Sequence, residues 1–278
     1  MEDFLEKYEK LKRFITSKGK DGVVIAFSGG VDSSTLAAIC HNVLGEKAVG
    51  VTAVSPVYPP EEIEEAKRVA REIGIKHILI ETNELVNGNF VRNPENRCYY
   101  CKKELLYHLQ GIAKRLGFKA IFEGTNFSDL GGHRPGFRAV KEIENVFSPW
   151  VENKFTKEEI QALAKKLGLS VHSKPAFACL ATRIPFGERI TREKLKMIGE
   201  AERIIKEISG VKQIRVRNHN GLARIEAGRN ERNLLFNTEL LNKIAIELKK
   251  LGFKYVTLDL EGYKTGSMLR TMKNTRRS

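Results

Sequence analysis

The sequence predicts an α/β fold, an open parallel sheet with helices on both faces, followed by a smaller α+β domain. Three observations carry this. Short β-branched apolar runs alternate with amphipathic stretches of helical period through the first two thirds of the chain, the pattern of a parallel sheet with crossover helices. A Gly-Gly turn rich in hydroxyls joins the first strand to its helix. After Pro185 the rhythm changes, and Asn220-Gly221, a strong hairpin signal, joins two alternating segments. The domains are expected at 1–184 and 185–278.

Taken in order, Phe4, Leu5, Tyr8, Leu11 and Ile15 recur at helical spacing in residues 1–18. Residues 22–27 (GVVIAF) read as a buried strand, 35–45 as a helix ending at Gly45, and 48–55 as a second strand. Residues 61–74 follow Pro59-Pro60 as a helix with acids in its first turn, where the helix dipole favours them. Strands at 76–82 and 119–126 flank a helix at 101–117, and residues 127–148 form a glycine-containing loop with a short strand. Thr156 and Glu159 make a capping box for a helix at 156–168. The second domain reads as helix 191–210, strands 211–218 and 222–228, helix 231–252 and strand 254–262.

Composition narrows the partners. Lys and Arg number 48 against 34 Asp and Glu, a net charge of +14, which favours anionic ligands such as nucleotides, phosphorylated metabolites or RNA. Four of those cations lie in the last nine residues (Arg270, Lys273, Arg276, Arg277), a segment expected to be a mobile tail. No apolar run approaches the ~20 residues of a membrane span. The charged N-terminus lacks the apolar core of a signal peptide, so a cytoplasmic protein without a membrane partner is expected.

The chemistry begins at Ser28-Gly-Gly-Val-Asp-Ser-Ser34, between a strand and a helix. Gly29 and Gly30 let the backbone turn and bring N–H groups against an anion, and the helix behind them aims its positive end at the same point. Ser28, Ser33 and Ser34 add hydroxyls. Asp32 suits such a cradle if Mg²⁺ is present or if it caps the helix. No Gly-Lys-Ser/Thr follows, so this is not a Walker A loop. The motif resembles the signature of the PP-loop ATP pyrophosphatases, which split ATP between its α and β phosphates and transfer AMP to a substrate oxygen. The resemblance implies that Ser28, Gly29, Gly30, Asp32, Ser33 and Ser34 hold the pyrophosphate and its Mg²⁺, with adenine near Val51 to Ser55.

The four cysteines are Cys40, Cys98, Cys101 and Cys179. Cys40 sits in an apolar helix and reads as core. Cys98 and Cys101 form a C-x-x-C at a helix start beside Arg97, Lys102 and Lys103, a setting that favours thiolate. With Cys179 they make three thiolates without an evident fourth partner, which suits a [4Fe–4S] cluster with one open iron. A closed zinc site would want a fourth ligand, for which His77, His108, His133 and His172 are available.

Further blocks tighten the resemblance: EGTNFSD (123–129), HRPGFRAV (133–140), FSPW (147–150), KPAFACLATRIPFGERIT (174–191), AERI (201–204), IRVR (214–217), ARIE (223–226) and VTLDLEGYKTGSM (256–268). In this order they are similar to the LarE family of ATP-dependent sulfur transferases. Membership implies an enzyme of nickel-pincer cofactor biosynthesis. Its substrate is a pyridinium dicarboxylate mononucleotide, adenylated on a carboxylate and then converted to a thiocarboxylate. In one version of the family the cysteine matching Cys179 gives up its own sulfur; in the other three cysteines hold a [4Fe–4S] cluster. The resemblance implies the cluster version here, with Cys98, Cys101 and Cys179 as ligands, Cys179 and Asp32 in catalysis, and an external sulfur donor. It also implies a homo-oligomer and substrate contacts from Arg215, Arg217, Arg134 and Arg183, with Asp129 in the same blocks. Arg215 and Arg217 alternate on a strand and share a face. Asp259 and Glu261 share a face of the last strand and either meet those arginines, bind metal or form a surface ion pair. Trp150 is either core or a ligand contact.

Three other readings compete. A tRNA-thiolating enzyme would share the loop, the cysteines and the charge, but no RNA-binding domain pattern is present, so a nucleic-acid partner is not expected. An amide-forming synthetase would share the loop and leave the cysteines without a task. A nucleotide-responsive or cluster-storing binding protein would not turn ATP over.

Overall fold

In the computed structural model, residues 4–175 and 177–271 are described; most of the basic C-terminal segment therefore lies outside the described residues. The elements are α1 (Phe4–Gly19), β1 (Val23–Ala26), α2 (Val31–Leu44), β2 (Ala48–Val54), α3 (Pro60–Ile73), β3 (Lys76–Glu81), α4 (Gly88–Val91) and α5 (Arg97–Leu116). They continue with β4 (Ala120–Phe122), α6 (Pro135–Glu142), β5 (Val146–Phe147), α7 (Pro149–Glu152), α8 (Lys157–Lys166), α9 (Arg192–Ser209), β6 (Ile214–His219), β7 (Leu222–Ala227), α10 (Thr238–Lys250) and β8 (Tyr255–Leu258). The chain forms two compact units, Met1–Glu84 with Asn96–Phe177, and Leu85–Glu95 with Ala178–Ser278.

The first unit holds a five-stranded sheet in the order β3-β2-β1-β4-β5 with every pairing parallel. Alternation along β1 explains its two covers. Val23 and Ile25 face a core with α1, α2, α3 and α8 through Leu11, Ile39, Ala66 and Leu163. Val24 faces the other way, onto Leu106 and Leu109 of α5 and Val140 of α6, as the period of two requires. The α/β architecture with helices on both faces is therefore present. Chain order runs from β1 outward to β3, then returns to the far side at β4. The switch point of the sheet thus lies between β1 and β4, where open α/β sheets bind ligands at their carboxyl ends.

The second unit holds a three-stranded sheet in the order β6-β7-β8, with β6 and β7 antiparallel and β8 added parallel. Ile214 and Val216 of β6, Ile225 of β7, Ile205 of α9 and Leu248 of α10 form its core. The helix expected at 231–252 is broken. Arg232–Leu235 make a 3₁₀ turn, and Asn237 caps α10 by accepting from the Leu240 N–H at 3.0 Å, the local side-chain bond that makes Asn a helix starter.

Candidate functional site

The loop after β1 is built for an anion. Gly29 has φ +67, and a Cβ there would stand 2.8 Å from the Ala66 Cα of α3; only glycine fits both demands. Gly30 differs. Its φ of −85 is ordinary, and a Cβ would meet only the Ser28 Oγ, at 3.4 Å. Its missing side chain keeps the mouth of α2 open rather than permitting the turn. Gly30 is the N-cap of α2 and supplies no side-chain cap bond, so first-turn N–H groups remain available to a ligand. The Ser33 Oγ accepts from the Ser28 N–H at 3.1 Å and donates to the Gly30 carbonyl at 3.2 Å, which rigidifies the loop. Among the described residues the Ser34 hydroxyl is buried without a hydrogen-bond partner, a state that costs about 1–3 kcal/mol.

Asp32 lies half-buried in the first turn of α2, where the Lys157 Nζ pairs with its Oδ2 at 2.6 Å and the Asn126 Nδ2 donates to its Oδ1 at 3.4 Å. One carboxylate is an appropriate protein share for Mg²⁺, which takes most of its shell from water and substrate phosphates. Trp150 is fully buried and donates from Nε1 to the Asp32 main-chain carbonyl at 3.1 Å, so it is core that braces the loop. The segment after β4 forms the second wall: a Cβ on Gly124 would lie 3.2 Å from the Ser33 nitrogen.

That same segment reaches the helix that carries the thiol pair. Helix α5 starts at Arg97, so Cys98 and Cys101 sit in its first two turns, exposed and half-buried respectively. Lys102, the next residue, donates to the Glu123 Oε2 at 2.9 Å. Glu123 is 1% exposed and also accepts from the Thr125 Oγ1 at 2.7 Å and from the Ser148 Oγ. Burial pushes its pKa up, but the Lys102 charge and these hydrogen bonds outweigh burial and hold it below the ordinary carboxylate value. Glu123, Asn126 and Lys157 were not singled out from sequence. The first two lay in a motif block, whereas Lys157 is one lysine among many and gave no signal. Cys40 is sealed in the core, and burial pushes its thiol pKa up. Arg134 is exposed and pairs with Asp129.

The second unit gathers the remaining expected residues. Cys179 is half-buried and precedes the 3₁₀ turn Leu180–Arg183. Three arginines of this unit stand in different states. Arg183 is 0% exposed and forks onto Glu202 at 2.8 and 3.1 Å. Arg217 forks onto the buried Glu226 at 3.0 and 2.7 Å and reaches the Thr182 carbonyl at 3.1 Å. Arg215 is 7% exposed, donates to the Ile214 carbonyl at 2.8 Å and stacks over Tyr263 at 5.5 Å. Among the described residues it has no carboxylate partner; burial, then the nearby Arg183 charge, lower its pKa. Asp259 pairs with Arg224, whose Nη2 also meets Glu226 at 3.1 Å. Glu261 pairs with Lys264 at 2.6 Å. The two acids thus meet cations other than Arg215 and Arg217.

Cys98, Cys101 and Cys179 all keep solvent access, unlike Cys40, and an accessible thiol is a ligand of the kind a soft metal takes. Among the described residues, however, no group of three or more His, Cys, Asp or Glu side chains is gathered to hold a metal ion. No described helix is long and apolar enough to cross a membrane.

Comparison with known proteins extends these observations. The family model described as NAD synthase matches residues 4–97, the stretch with the phosphate loop. An uncharacterised protein of Synechocystis sp. is 43% identical over 96% of this chain and 98% of its own. The pyridinium-3,5-bisthiocarboxylic acid mononucleotide synthase of Lactiplantibacillus plantarum is 33% identical over 90% of each chain. An uncharacterised protein of Methanocaldococcus jannaschii is 30% identical over 94% of this chain and 99% of its own.

Proposed function

Because the chain belongs to the LarE family, that of the pyridinium-3,5-bisthiocarboxylic acid mononucleotide synthase, we propose that it is an ATP-dependent sulfurtransferase acting on pyridinium-3,5-biscarboxylic acid mononucleotide. The observation that carries this reading is the reach of the similarity: it continues through the second unit, where the buried Arg215 guanidinium, without a carboxylate among the described residues, suits a phosphorylated substrate.

The chemistry divides between two domains, 1–184 for ATP activation and 185–278 for substrate binding and oligomer formation. Ser28, Gly29, Gly30, Ser33 and Ser34 cradle the β and γ phosphates, and Asp32 contributes to Mg²⁺. A substrate carboxylate oxygen attacks the α-phosphorus, the bond to the bridging oxygen breaks, and pyrophosphate leaves with the electron pair. The acyl adenylate then carries a good leaving group. Sulfide attacks its carbonyl carbon, AMP departs, and a thiocarboxylate remains; sulfur enters already reduced, so no oxidant is needed. Arg215 and Arg217 bind the substrate phosphate, and the exposed Arg134 contacts substrate from the first domain. Cys98, Cys101 and Cys179 would hold a [4Fe–4S] cluster, which would supply sulfide drawn from an external donor. The protein works as a cytoplasmic homo-oligomer.

The test is anaerobic incubation of the iron–sulfide-reconstituted chain with Mg-ATP and the biscarboxylic mononucleotide. AMP, pyrophosphate and a thiocarboxylate should appear in equal amounts. AMP without sulfur incorporation would leave ATP activation standing and remove the sulfur reading. Iron and acid-labile sulfide near zero, with sulfur still incorporated and Cys179 converted to dehydroalanine, would assign the sulfur to Cys179 itself.

A further inference from the structure

We infer that Arg183 and Glu202 are a positioning pair that fixes the main chain at Cys179, and that Arg183 does not contact substrate. The inference rests on the proposed role of Cys179 in sulfur delivery. Its structural argument lies wholly within the second unit.

Arg183 is 0% exposed and Glu202 4% exposed. The Arg183 Nε and Nη2 meet both carboxylate oxygens of Glu202, at 2.8 and 3.1 Å, a planar fork that lysine cannot reproduce. The carboxylate is itself anchored, because its Oε1 accepts from the Val216 N–H of β6 at 3.0 Å. With one face of the guanidinium spent on α9, Nη1 turns to the loop. It donates to the Ala178 carbonyl at 2.5 Å and the Cys179 carbonyl at 3.0 Å, and it meets the Thr182 Oγ1 at 2.8 Å.

The Cys179 carbonyl receives two more donors, the Thr182 N–H at 3.0 Å and the Thr182 Oγ1 at 2.8 Å. A carbonyl held by three donors fixes the peptide plane after Cys179, and with it ψ at 153°. That plane sets the direction in which the Cα–Cβ bond presents sulfur. The Arg217 bond to the Thr182 carbonyl ties the same loop to β6. Charge accounting agrees. Arg183 is neutralised by Glu202 and Arg217 by Glu226, so among the described residues Arg215 is the least compensated of the three cations and gains most from an anion. Sulfur attack on a carbonyl carbon requires approach to about 3–3.5 Å in a defined direction, and sulfur delivered through a cysteine on a loosely held loop would not meet that demand.

The experiment uses the full chain with R183K, E202Q and T182V. Before iron and sulfide are added, iodoacetamide modification of Cys179 is timed by peptide mass spectrometry, with Cys98 in the same molecule as reference. Turnover is then measured after reconstitution. The Cys179-to-Cys98 rate ratio should rise about fivefold in R183K and E202Q, as local opening is released. In the reconstituted enzymes kcat should fall by about tenfold or more with the substrate KM unchanged. A raised KM with unchanged kcat and an unchanged alkylation ratio would place Arg183 against substrate and overturn the inference. If R183K and E202Q lose cooperative unfolding, T182V, which deletes one donor to the Cys179 carbonyl, decides: a ratio equal to wild type overturns the inference. The alkylation ratio is read without substrate or cluster, so a failure of the sulfur-transfer reading leaves it interpretable.

Discussion

The phosphate loop and the Cys179 loop prepare for charge by opposite means. The first offers main-chain N–H groups at a helix start, shaped by Gly29 and kept open by Gly30. The second keeps three arginines in a buried region and pairs two of them with buried carboxylates. A main-chain cradle is already polar before ligand arrives and costs little to leave empty. Buried guanidinium groups must be neutralised, or they carry a desolvation penalty until an anion comes. A ligand for the first loop therefore needs fit, whereas a ligand for the second also removes a penalty that the fold sustains.

Six substitutions break or sharpen this contrast. Gly29→Ala has the largest expected effect. Its Cβ would stand 2.8 Å from backbone at a positive φ, so urea unfolding should show a loss of about 3 kcal/mol or more. ATP turnover should vanish with it. Gly30→Ala in the same assay should leave stability within about 0.5 kcal/mol and weaken nucleotide binding. Equal destabilisation by the two would break the account of the cradle.

Arg217→Met comes next, at about 3 kcal/mol, because it strips a fork from a fully buried carboxylate; Arg224 keeps its contact with Glu226. Arg215→Met should instead leave stability unchanged or raise it, while substrate affinity by calorimetry drops about 10–100-fold. Similar unfolding midpoints for the two variants would erase the distinction between paired and unpaired arginines.

Glu123→Gln should cost about 1–2 kcal/mol at neutral pH with a definite pH signature. The folded carboxyl has a pKa below its ordinary value, so its stabilisation is present above about pH 4.3. It is lost as pH falls through the folded value. The gap between wild type and E123Q should thus narrow on titration from neutral pH toward pH ~3; a constant gap would contradict the Lys102–Glu123 pairing.

Lys157→Gln has the smallest expected effect, about 1 kcal/mol or less in stability, since the pair with Asp32 is partly exposed. Its clearer readout is a lower Mg²⁺ requirement for ATP binding, because the ammonium no longer competes for Asp32.

Much of the first unit was legible because its signals are local. A strand, two glycines and a helix start occupy consecutive residues, and the Thr156–Glu159 capping box is present as read. Local signals also misled at edges: α2 starts at Val31 rather than near Thr35, which brings Asp32, Ser33 and Ser34 into the first turn. In the second unit, IRVR marked two arginines on one face, but not that Arg217 finds Glu226 nine residues away while Arg215 finds no acid among the described residues. Glu202, at 19 residues from Arg183, has no sequence pattern to announce it. Pairing among buried charges is decided by packing, and packing is not written in periodicity.

The stretch Leu85–Glu95 belongs to the second unit although the first unit resumes after it. Asn93 donates from Nδ2 to the Pro185 and Glu188 carbonyls at 2.7 and 3.0 Å, and its own carbonyl accepts from the Gly187 N–H at 2.9 Å. During synthesis this stretch leaves the ribosome some ninety residues before its partners exist. The parallel sheet can assemble meanwhile, but the second unit cannot close its base until translation has passed Ile190, whose N–H bonds to the Val91 carbonyl at 2.9 Å. A fragment cut to begin at Ala178 lacks that base, so severing the gene at the apparent junction yields a piece missing part of its own foundation.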